Sequence, residues 1–230
     1  MDASKVNEIL QEAEGAIHGG RSIKGTGFWE AVSSARVNRS IAEEFADRIA
    51  VIDRLAFERA VGPLVSASAG TGVLTAGTVA AVGVLVLAET LENRMLRTLL
   101  LLGSFGALEI TTHSLTHWVV GRLVGIRFTH YFIGGPPPPR PGTKIDYASY
   151  LRTPPSRRAL MHASGAVVTK LIPFAFIPVA VKLEAYRWVI YLLLAVGLIQ
   201  ILTDILFSTK TSDWKKVRRE LRAGKTWAQS

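Results

Sequence analysis

His113 and His117 stand four residues apart in Glu109-Ile110-Thr111-Thr112-His113-Ser114-Leu115-Thr116-His117, so on a helix their imidazoles share one face. Glu109 lies one turn earlier on that face. Two imidazoles at this spacing, joined by a carboxylate from another helix, make the donor set of a metal site; zinc takes such nitrogens and oxygens at about 2.0–2.2 Å. A glutamate directly after the first histidine would act as general base toward a metal-bound water. That position is Ser114, and a serine hydroxyl is no general base at neutral pH. Hydrogen bonds to neighbouring helices would satisfy the same polar groups, so the pattern alone leaves both roles open.

The elements that must position these groups are apolar. Stretches at about 68–88, 95–118, 159–181 and 188–207 each approach the ~20 residues that cross a hydrocarbon core. Of the 230 residues, 49% are hydrophobic and none is cysteine. Disulfides, thiolate ligands and cysteine nucleophiles are thereby excluded. The fold class expected is an all-α polytopic membrane protein with about four transmembrane helices. A small cytoplasmic helical region (1–66) precedes the membrane domain (67–210), and a basic cytoplasmic tail (211–230) follows it. Stretch 68–88 is rich in Gly, Ala and Thr and the least hydrophobic, so a buried or re-entrant helix is its alternative. Residues 1–60 are polar, and no cleavable signal is expected there.

Lysine and arginine set the orientation. The connection between the second and third stretches carries Arg122, Arg127, Arg140, Lys144, Arg152, Arg157 and Arg158, against Arg94 and Arg97 or Lys182 and Arg187 in the other two. The tail adds Lys210, Lys215, Lys216, Arg218, Arg219, Arg222 and Lys225. Both termini and the central loop are therefore expected in the cytoplasm of a multi-pass integral membrane protein. The net charge of +9 is then accounted for by topology and membrane lipids as partners, and no nucleic-acid partner is expected.

Val6, Ile9, Leu10, Ala13 and Ile17 keep helical spacing up to Gly19-Gly20, and Ser40 with Glu43 has capping-box spacing ahead of Ile41, Phe45, Ile49 and Ile52. These predict a helical pair. In the irregular loop 122–157, residues 127–133 and 144–147 have strand character and predict a short hairpin around a stiff proline connector, Pro136 to Pro139.

With this topology His113, His117, His162 and Asp204 come from three helices to one depth near the cytoplasmic side. His113, His117 and Asp204 are the candidate metal ligands, with His162 as a further candidate and zinc as the cofactor. Glu109 and Lys170 fall at similar depth, and a buried pair would ease the cost of both charges.

His113-Ser114-Leu115-Thr116-His117 and its glycine-containing continuation resemble the active-site helix of site-2-protease-type intramembrane zinc metalloproteases. The segment from Gly134-Gly135 through Arg157-Arg158-Ala159-Leu160-Met161-His162-Ala163-Ser164-Gly165 is similar to the family's stretch before its Ala-Gly-Pro turn. Leu202-Thr203-Asp204 resembles its Leu-Asp-Gly motif. The resemblance spans about residues 95–210 and implies zinc on His113, His117 and Asp204. The chain departs from the pattern at Ser114 for glutamate, Ala166 for proline and Ile205 for glycine. The function expected is a site-2-protease-like membrane protein with a metal site but no general-base glutamate, non-proteolytic or weakly active. Such a protein would bind a transmembrane protein as substrate or partner. The alternatives are an active protease with a displaced base, Glu109 or Asp146, and a small transporter or haem-binding membrane protein.

Overall fold

The computed structural model describes residues 1–134, 140–206, 212–227 and 229. The chain divides into two compact units, Met1–Ala67 with Gly121–Leu160 and Arg218–Ser230, and Ser68–Val120 with Met161–Val217. The proline connector Pro136 to Pro139 lies outside the described residues.

The first unit opens with α1 (Ala3–His18), whose N-cap Asp2 accepts from the Lys5 amide at 2.8 Å. Its buried face is the expected one: Val6, Ile9, Leu10, Ala13 and Ile17. It stops where the Gly20 amide bonds Ile17 O and the Arg21 amide bonds Ala16 O, with Gly20 left-handed at φ 72°. The expected helical pair is a trio, since α2 (Phe28–Val37) intervenes before α3 (Arg39–Ala60). Asn38, not Ser40, caps α3: its Oδ1 accepts from the Ile41 amide at 3.2 Å and from Ser40 Oγ at 2.8 Å. Arg48 on α3 grips Glu14 on α1 through two bonds of 2.9 and 3.0 Å.

The loop is more regular than expected. β2 (Phe128–Gly134) and β3 (Arg140–Ile145) pair antiparallel, so the second strand runs over 140–145 and not over the expected 144–147, and β1 (Leu64–Ser66) joins on the other side of β2 in register Leu64↔Phe132. Then α6 (Tyr147–Arg152) starts on Asp146, which accepts from the Ser149 amide at 3.1 Å. Arg158 and Glu220 are both wholly buried, 3.2 Å apart; Tyr150 donates to Glu220 at 2.9 Å, and Arg158 donates to the Arg36 carbonyl at 2.7 Å.

Four helices, which lie in the second unit for most of their length, are long and apolar enough to cross a membrane: α4 (Ala67–Glu89), α5 (Arg94–Leu123), α7 (Pro155–Lys182) and α8 (Arg187–Leu206). Each lies within a few residues of its expected stretch, and 68–88 is a regular helix throughout; it is not the least hydrophobic of the four, its mean hydropathy of 2.0 exceeding the 1.2 of α5 and the 1.8 of α7. Leu101, Leu108, Phe176, Ala180, Val189 and Leu193 form the interior. Large apolar side chains such as Val73, Val79, Ile110, Tyr191 and Ile205 point outward. Helices apolar on both their inward and outward faces suit lipid rather than water as solvent. Small residues let them approach: Gly77 faces Thr111, and Gly197 lies against the Phe174 ring. The tail expected over 211–230 is a helix, α9 (Asp213–Trp227).

Candidate metal centre

α5 is unbroken through residues 109–117, so the i, i+4 spacing delivers His113 and His117 to one face, rings edge to face with centroids 4.8 Å apart. The carboxylate that meets them is Asp213, in the first turn of α9. Its Oδ2 lies 3.3 Å from His117 Nε2 and 3.5 Å from His113 Nε2. Its other oxygen accepts from Lys216 Nζ at 2.9 Å. Burial alone would raise the Asp213 pKa, yet the His117 bond and the Lys216 ammonium hold it well below the usual carboxylate range.

Asp204 is engaged elsewhere. It forms an ion pair with Lys170 and accepts from Trp214 Nε1 at 2.9 Å. The expected Glu109–Lys170 pair is therefore replaced: Lys170 reaches Asp204, and Glu109 Oε2 accepts from Gln200 Nε2 at 3.1 Å. His162 is buried but outside the cluster of His113, His117 and Asp213. Asp146, the other base candidate, caps α6 and sits 3.5 Å from Arg127. Ser114 follows His113 on α5, with no carboxylate in its place.

Three observations bear on whether these donors fit a metal. The first is tautomer. His117 Nδ1 is 2.7 Å from the Met161 carbonyl, an acceptor only, so Nδ1 carries a proton, and Nε2 is left to meet Asp213 through a second ring proton or to offer its lone pair to a metal ion. A carbonyl on the second nitrogen is the usual support for a ligating histidine. The second is charge. A lone pair facing a carboxylate oxygen at 3.3 Å is repulsive unless a cation, a ring proton or a metal ion, lies between. The third is distance. Bonds of about 2.05 Å at a tetrahedral angle separate two donors by about 3.3 Å, close to the 3.3 and 3.5 Å found here. All three donor atoms lie within 4.8 Å of one another. Both histidine–aspartate separations match a single ion, and the three groups together could hold one.

Gly165 on α7 makes room for this arrangement. A Cβ there would lie 2.6 Å from His117 Cδ2 and 2.8 Å from Cε1, and closer still to Nε2. Only the absence of a side chain lets the imidazole pack on that main chain. His117 is buried whereas the His113 side chain is 38% exposed, so the cluster is open from the His113 side.

Sequence reasoning found both histidines and missed Asp213. Its signal was present: Ser212 before Asp213, with basic residues following, is a helix start, and Ser212 Oγ accepts from the Lys215 amide at 3.4 Å. Comparison with protein-family models, curated proteins and solved structures gives no match to this chain.

Proposed function

We propose that this chain is a membrane-embedded zinc protein of site-2-protease-like design that binds a transmembrane protein segment and hydrolyses it weakly or not at all. The observation that carries the reading is the meeting of His113 Nε2, His117 Nε2 and one Asp213 oxygen within a unit of four membrane-crossing length helices. The third donor comes from α9 and not from the Leu-Thr-Asp segment of the resemblance. Zinc in such a site polarises a carbonyl or acidifies a bound water. In this chain His117 is oriented by Met161, Asp213 is steadied by Lys216, and the open side at His113 admits a substrate group.

The missing base sets the level of activity. Loss of a positioned base removes about 10²–10⁴ in rate. Neither substitute helps: Asp146 is used as a cap, and Glu109 is held by Gln200. Haem is disfavoured because both Nε2 atoms converge on one oxygen, whereas axial ligation places two nitrogens on opposite sides of an iron. The positive-inside pattern supports cytoplasmic termini.

The test is metal content of detergent-purified full-length protein, with Asp213→Asn and Asp204→Asn side by side. One zinc per chain, lost in Asp213→Asn and kept in Asp204→Asn, is the expected result. Zinc lost only in Asp204→Asn would reinstate the ligand set of the resemblance, and no metal in the wild type would remove the proposal.

A further inference from the structure

The first unit holds a cavity of about 600 Å³ walled by the connection between α1 and α2 and by one side of α3. That volume is in the range of small-molecule sites. Its lining includes Arg21, Lys24, Arg59 and Lys144 against a single acid, Asp53. Lys144 is already paired with Asp53 at 2.6 Å. Arg21, Lys24 and Arg59 have no carboxylate partner among the described residues, although Arg59 donates to the Ile17 carbonyl at 2.6 Å. Three uncompensated cations thus face one concavity, and an anion is what they lack.

The connection is built to hold them there. Ile23 is buried beneath it, so Arg21, Ser22 and Lys24 project outward around that plug. Gly20 and Gly25 take left-handed φ of 72° and 92°. Ser22 Oγ accepts from the Lys24 amide at 3.1 Å, and Thr26 Oγ1 donates to the Ile23 carbonyl at 2.9 Å. The amides of Ser22 and Gly25, both at the cavity wall, have no acceptor among the described residues. Free main-chain amides beside cations are donors for phosphate oxygens. The wall is also aromatic: Trp29 is 52% exposed and backed by Tyr147 at 6.2 Å, with Phe57 alongside.

We propose that this cavity binds a phosphate-bearing ligand. Arg21, Lys24 and Arg59 neutralise the phosphate, the Ser22 and Gly25 amides hydrogen-bond its oxygens, and Trp29 and Phe57 cover the remainder. The phosphate can belong to a lipid headgroup or to a soluble compound, and the probes separate the two.

Full-length protein in neutral detergent is titrated calorimetrically with pyrophosphate and with dihexanoyl phosphatidic acid, dihexanoylglycerol serving as the phosphate-free control. Saturable one-to-one binding of pyrophosphate alone assigns a soluble ligand, and binding of phosphatidic acid alone or more tightly assigns a headgroup. Both outcomes support the site. Arg21→Gln with Lys24→Gln should weaken binding at least tenfold while melting unchanged, since both side chains are exposed and unpaired. Arg218→Gln with Arg222→Gln, an equal charge loss on exposed positions of α9, should leave binding intact. Absence of saturable binding to either probe, or an equal loss in the two double variants, overturns the proposal.

Discussion

Replacing Gly165 by alanine sets two effects of opposite sign against each other. In helix α7 the change is favourable by about 1 kcal/mol of helix propensity. The new methyl, however, would stand 2.6–2.8 Å from His117 Cδ2 and Cε1, where carbon atoms rest at about 3.5 Å or more. The ring must retreat by roughly 0.8 Å, and backbone on one side leaves it only a tilt or a slide. A displacement of that size stretches the 2.7 Å bond to the Met161 carbonyl to about 3.5 Å, beyond a useful hydrogen bond. Overpacking costs about 1–3 kcal/mol and offsets the propensity gain. Losing the group that orients a ligating histidine costs about 10–100-fold in metal affinity. Gly165→Ala should therefore melt within a few degrees of wild type yet bind zinc at least tenfold more weakly in competition with a chromophoric chelator. Gly103→Ala is the matched control, because a Cβ there meets nothing within 4 Å. Unchanged zinc affinity in Gly165→Ala would refute the assignment of His117 Nε2 as a ligand.

Ser114→Glu restores a carboxylate beside His113 and should raise cleavage of a reconstituted transmembrane peptide by about 10² or more; zinc-loaded variant without detectable cleavage would contradict the site-2-protease-like design. Glu220→Gln should destabilise the first unit by about 3–5 kcal/mol, because it strands the fully buried Arg158, whereas Arg158→Met should cost less, since Arg219 at 3.2 Å and Arg36 at 3.5 Å still face Glu220, and Arg158→Met with Glu220→Leu should recover part of the Glu220→Gln loss; thermal melting followed by circular dichroism decides it. The Arg48 hydrogen bonds hold the Glu14 carboxyl below its ordinary value, so its contribution is full above the ordinary glutamate range and lost as pH falls through the lowered value. On a partly exposed pair this is under about 1 kcal/mol. Protection factors of α1 amides, corrected for the intrinsic exchange rate at each pH, should fall by up to about fivefold between pH 5 and pH 3, and Arg48→Gln should abolish that dependence.

How much was legible follows from the range of each signal. The four helices long and apolar enough to cross a membrane, and the histidine face, depend on hydropathy and a 3.6-residue period, both local, and they fall where expected. α2 was equally local: Phe28, Ala31, Val32 and Ala35 keep helical spacing, but three alanine or valine positions make a weak stripe. The cap of α3 was displaced by two residues because Asn38 and Ser40 both suit the role and Asn38 takes the amide of Ile41. Depth along α8 points to Asp204, and depth does not say which way a side chain turns. Lys170 claims Asp204, leaving the histidines to Asp213 in a segment whose many cations read as an orientation signal. Trp214, bonded to Asp204 while Asp213 meets the histidines, links the two carboxylates through neighbouring residues of α9, a relation no linear pattern displays.

The proposed function rests on one ion shared by His113, His117 and Asp213. X-ray absorption at the zinc edge of purified full-length protein reads the donor shell directly. The account predicts one zinc per chain, with multiple-scattering features of two imidazoles and nitrogen or oxygen donors at about 2.0–2.1 Å, one imidazole fewer in His113→Ala, and an altered shell in Asp213→Asn. Protein purified without metal that takes up none, or a shell unchanged by His113→Ala, would contradict it.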